Sequence, residues 1–120
     1  MAALQTLKSD LGPVWGKTTV LAMTEFGRTA AENGNRGTDH GTGGTMIMAG
    51  GAVHGGKIYG NWPGLAEVDL LDRRDVMPTD DVRRYAAWAL RGAFGIERDL
   101  IERTIFPGLE IGSNPGLIRS

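Results

Sequence analysis

Leu4, Leu7 and Leu11 recur at helical spacing, with Lys8 and Asp10 off that face. Gly12 and Pro13 close the pattern, so the spacing predicts a first helix ending near Leu11. No capping residue precedes Ala2, as expected if a longer helix continues upstream. The run KTTVLAMTEF, 17–26, is rich in β-branched and apolar residues and predicts a buried strand. TMIMAGG, 45–51, predicts a second strand, and GKIYG, 56–60, a short edge strand. Further on, Val82, Tyr85, Ala86, Ala89 and Ala93 mark one helix face, while Arg83, Arg84 and Arg91 lie largely elsewhere. Thr79 or Asp80 can cap that helix, Asp80 and Asp81 complement its dipole, and Gly95 ends it. A short amphipathic helix with Leu100, Ile101 and Ile105 on its apolar side follows. The tail FPGLEIGSNPGLIRS has turn chemistry and little periodicity.

The order helix, strand, loop, strand, helix predicts an α/β layer structure. Two or three strands make a thin sheet whose apolar faces need cover, so the 120 residues read as a single partial domain. The expected partner is either an absent N-terminal half or a second copy of the chain.

Composition narrows the function. Charged residues make up 22 % and the formal net charge is -1, with Lys and Arg scattered. That balance argues against nucleic acid as a partner. No apolar run reaches membrane-spanning length, and the start lacks the basic and apolar regions of a signal peptide. The absence of cysteine excludes disulfide scaffolds and thiolate zinc sites. Most of the 19 glycines fall between Gly27 and Gly64, which makes the middle of the chain rich in loops.

The longest of these loops, 27–44, contains the stretch RGTDHGTGGT. A loop of this length without structure of its own is usually functional or disordered. Glu25 falls at the end of the first predicted strand and Asp39-His40 in the loop beyond it. Ligands of open α/β sheets bind outside the carboxyl ends of strands. Carboxylate and imidazole suit Zn²⁺ or Mn²⁺, and the carboxylates also suit Mg²⁺ or Ca²⁺. Neighbouring residues in an extended segment point to opposite sides, so Asp39 and His40 would face different ions rather than chelate one. A turn Asp beside a hydrogen-bonded loop His is the alternative without a metal. His54 reads as a surface loop histidine, and Trp62-Pro63 as a packed turn.

Thr24-Glu25-Phe26-Gly27-Arg28, Asn33-Gly34, Gly37-Thr38-Asp39-His40-Gly41 and Gly60-Asn61-Trp62-Pro63 resemble the C-terminal part of the DUF1501 family. The likeness extends more weakly through PTDDVRRYAAWAL. That family is similar to the alkaline phosphatase and sulfatase superfamily. The resemblance implies the C-terminal portion of a three-layer α/β fold, with few strands, flanking helices and a long Gly-rich loop. It also implies a divalent metal, a small anionic phosphate or sulfate ester as substrate, and an exported or periplasmic location. Carried onto this chain, it offers Glu25, Asp39 and His40 as metal ligands. By wording, Asp39-His40 matches the superfamily's Asp-His pair; by position, Glu25 stands where that pair falls, and His40 resembles a later histidine. Arg28 could face the substrate anion, or pair with Glu25 or Glu32. The superfamily's nucleophile lies in an N-terminal half with no counterpart here, so the chain is not expected to be active alone.

Three functions remain in play: part of a metal-dependent ester hydrolase, a binding or surface-associated protein that kept the fold, or a small α/β domain whose loop is structural.

Overall fold

The computed structural model describes residues 2–119. Along the chain, helical segments come before and after a run of four short strands, which form two small sheets, a mixed α/β composition. Helix α1 covers Ala2–Leu11, and a 3₁₀ segment, Gly12–Lys17, follows it with Pro13 in its first turn. Strands β1 (Val20–Ala22), β2 (Gly27–Arg28), β3 (His40–Gly41) and β4 (Ile47–Ala49) come next. A 3₁₀ turn at Glu67–Asp69 precedes helix α2, Val82–Phe94. Helix α3, Arg98–Leu100, runs into a π turn at Ile101–Ile105. β1 pairs with β4, and β2 with β3.

The strands are shorter than the apolar runs that predict them. In 17–26 only Val20–Ala22 is strand, because Lys17 still belongs to the 3₁₀ segment. Met23 and Phe26 are about half exposed, at 52 % and 47 %, so that end of the run is not a buried strand. Only Ile47–Ala49 of 45–51 is strand, since Gly50 takes φ 145° and turns the chain. No strand forms over 56–60, where Ile58 is wholly exposed. Helices α1 and α2 end beside the glycines that the pattern marks, whereas the third predicted helix is only Arg98–Leu100 with a π turn after it, and of its apolar residues Ile101 alone is buried.

The described chain forms two compact units. One contains residues 2–21, 48–58 and 82–119; the other contains 22–47 and 59–81.

The core of the first unit is Ala87, Ile101, Leu109 and Ile111, flanked by Trp88, Ile96 and Phe106. Burying each isoleucine contributes about 1.5–3 kcal/mol relative to exposure. Ala86, Ala87 and Ala89 form the buried side of α2, while Ala93 is exposed. The burial therefore centres on Ala87, which the sequence pattern leaves off the face. Small residues let the tail come close: a Cβ on Gly92 would lie 2.5 Å from the Cβ of Ile118. Trp88 Nε1 donates to the Ile111 carbonyl (2.9 Å), which ties α2 to the segment after the π turn.

In the second unit side-chain burial is slight, and the backbone hydrogen bonds of β2, β3 and residues 71–76 give it order. Its two buried polar residues are Thr29 and Asp75.

Candidate functional site

The candidate site is the loop of the second unit. β2 and β3 pair antiparallel in the register Gly27↔Gly41 and Arg28↔His40. Gly41 is needed there, because a Cβ would stand 2.6 Å from the Arg28 carbonyl carbon. On the other side of β2, Val76 N–H donates to the Arg28 carbonyl and Ala30 N–H to the Arg74 carbonyl. Asp75 lies in this line, bridged to Thr29. Its carboxylate accepts from Thr42 Oγ1 (3.0 Å) and Arg74 Nη1 (2.9 Å), so the buried charge is paired.

Asn33 organises the turn between β2 and β3. Its Oδ1 accepts from the backbone N–H groups of Asn35 (2.9 Å) and Gly37 (3.0 Å), and its own N–H donates to the Gly37 carbonyl (2.7 Å). Asn favours such turns because its side chain can stand in for backbone acceptors. The remaining amide donor, Nδ2, reaches Asp39 Oδ1 at 2.9 Å. Asp39 N–H donates to Thr29 Oγ1 at 3.0 Å. These bonds close the turn, and one oxygen of Asp39 is already held.

Of the residues singled out by sequence, Asp39 and His40 leave consecutive positions of an extended segment and so face opposite sides. Asp39 meets Asn33, whereas the His40 ring stacks on Phe26, with centroids 4.1 Å apart and planes 13° apart. Arg28 Nη1 donates to the Thr38 carbonyl (3.1 Å). Arg28 pairs with neither Glu25 nor Glu32 among the described residues. Glu25 is exposed. Among the described residues no three His, Cys, Asp or Glu side chains stand together in a way that could hold a metal ion.

Thr29 and Asp75 are residues that sequence reasoning passed over, and Asn33 and Phe26 entered it only as family hallmarks, without a role. Asn33-Gly34 carries a turn signal that points to its role in closing the loop. Phe26 lies two residues before Arg28, the spacing that puts side chains on one face of a strand. Nothing local marks Asp75, whose partner Thr42 is 33 residues away.

His54 belongs to the first unit. Its Nδ1 lies 2.9 Å from the Gly116 carbonyl, so Nδ1 carries the proton and donates. A shallow depression of about 170 Å³ in the same unit is lined by Trp88, Arg91, Gly92, Asn114 and Ile118. It is below the roughly 300 Å³ at which small-molecule pockets begin. The Arg91 guanidinium there lies over the Trp88 ring at 5.4 Å and donates to the Ile96 carbonyl, a structural arrangement.

These features define a mixed α/β protein with a preset polar loop between two short strands. Over residues 2–105 the chain matches the family described as Protein of unknown function (DUF1501), and it belongs to that family. No curated protein and no solved structure matches it.

Proposed function

We propose that this chain supplies part of the site of a metal-dependent hydrolase of phosphate or sulfate esters, within an alkaline phosphatase-like fold. The ordered Asp39 carboxylate carries this reading. Asn33 holds one of its oxygens, which leaves the other for a cation at little further ordering cost. Glu25, Asp39 and His40 are the donors this chain can offer. Asp39 and His40 face opposite sides, so the pair serves two ions, or one of the two serves the substrate. Arg28 is the contact for the ester's anionic group. Since a zinc site takes about three protein ligands plus water, the missing donors and the nucleophile come from DUF1501 residues outside this chain. When bound, the metal would activate a nucleophile and stabilise charge on the transferring group.

A second reading, a non-catalytic binding protein, draws on exposed apolar side chains. Phe26, Trp62, Leu65 and Val68 of the second unit are 47 %, 73 %, 55 % and 90 % exposed. They suit contact with further DUF1501 polypeptide or with a second copy.

The test is hydrolysis of 4-nitrophenyl phosphate and sulfate by a longer DUF1501 polypeptide carrying these residues, with Zn²⁺ or Mn²⁺ and then with chelator. The hydrolase reading expects turnover that the chelator abolishes and that Asp39→Asn lowers by about a hundredfold, the scale of losing an outer-shell or ligand contact. Binding without turnover under every metal would favour the second reading.

A further inference from the structure

Arg28 and His40 stand directly opposite each other, and Thr29 N–H donates to the Asp39 carbonyl beside them. That bond makes Arg28–His40 the non-hydrogen-bonded type of antiparallel pair, in which side chains on one face come closest. Phe26, two residues before Arg28, shares that face and stacks on the imidazole. All three side chains are exposed. The Arg28 guanidinium is anchored by one nitrogen on the Thr38 carbonyl, which leaves Nε and Nη2 to donate outward. No carboxylate among the described residues pairs with it.

A divalent cation bound at His40 would be repelled by the Arg28 guanidinium opposite it. An oxyanion is attracted instead, because the guanidinium and an imidazole N–H each donate charge-assisted hydrogen bonds to it. The stack on Phe26 fixes the ring plane in advance, so little ordering is needed on binding.

We propose that Phe26, Arg28 and His40 form an oxyanion-binding face that docks the phosphate or sulfate group of the substrate, with His40 an anion contact and not a metal donor. This rests on the hydrolase reading for its substrate class, and it leaves the opposite face, with Asp39, to the metal.

The probe is inorganic phosphate, titrated into the full 120-residue chain and followed by NMR of the His40 ring and the Arg28 Nε–H. Both signals should shift together and saturate. Arg28→Ala and His40→Ala should each weaken binding about tenfold or more, the scale of one lost charge-assisted hydrogen bond. Arg28→Lys should retain part of the affinity as a point charge. All three side chains are exposed, so unchanged amide spectra confirm that the variants stay folded. Absence of a saturating shift, or a phosphate affinity in both alanine variants unchanged from the parent chain, would overturn the proposal. Metal binding is scored separately with Mn²⁺ and no phosphate. Broadening of the His40 ring without any phosphate shift refutes this proposal and leaves the hydrolase reading standing. Phosphate binding with no Mn²⁺ effect at Asp39 does the reverse.

Discussion

Asp72 and Arg73 both take positive φ, 51° and 56°, at the centre of a turn closed by Arg74 N–H on the Leu71 carbonyl. Positive φ at both central positions is the type I′ signature, for which Asn-Gly is the favoured pair. A side chain with Cβ in this region costs roughly 1–2 kcal/mol, least for Asp and Asn. Arg73 gains little in return, since its contact with Glu67 is 3.6 Å long and exposed. Replacing the pair with Asn-Gly should stabilise the protein by about 1 kcal/mol. A higher urea midpoint with unchanged slope is the expected result; no change would mean that the turn relaxes without strain. The same scale shows why half of the candidate site was legible. Asp39, His40 and Arg28 announce themselves by residue type. Asn33 acts through hydrogen bonds that exist only once the turn has closed.

At the level of elements, the helices were legible because their apolar residues recur at helical spacing. α1 ends at Leu11 and α2 at Phe94, next to the glycines that the pattern marks. The strands were overextended because apolar composition stood in for burial, and Phe26 spends its ring on His40 rather than in a core. The π turn was illegible, since its i→i+5 bond from Phe106 N–H to the Ile101 carbonyl has no composition signature. That turn places Glu102 where Oε1 accepts from Ile111 N–H (2.9 Å) and Arg98 Nε (2.9 Å). The Ile111 N–H, and then Arg98, hold the Glu102 carboxyl below its ordinary range, against the opposing effect of desolvation. A lowered folded pKa means stability that is fully present above the ordinary glutamate range. It is lost as pH falls through the lowered value. Acid unfolding followed by helix circular dichroism should therefore be shallower in Glu102→Gln across that window. Superimposable acid profiles would show that the carboxylate is not coupled to folding.

On the scale of the whole molecule, two kinds of order coexist. The first unit has an apolar core around Ile101 and Ile111, while the second is organised by backbone pairing and the buried Thr29 and Asp75. A core of the first kind can be read from periodicity. Order of the second kind depends on glycines that admit close backbone approach, and sequence shows only that they are numerous. No described residue of α1 is buried, although its leucine stripe is regular. Among the described residues no helix is long and apolar enough to cross a membrane. The central claim is that the second unit presents Asp39, preset by Asn33, to a cation completed from elsewhere in a DUF1501 polypeptide. Paramagnetic broadening by Mn²⁺ tests it most directly, because even weak binding by an incomplete donor set leaves a local mark. The account predicts broadening centred on Asp39 and Asn33 that Asp39→Asn removes, with the first unit unaffected. Broadening centred elsewhere, or unchanged in Asp39→Asn, would contradict it.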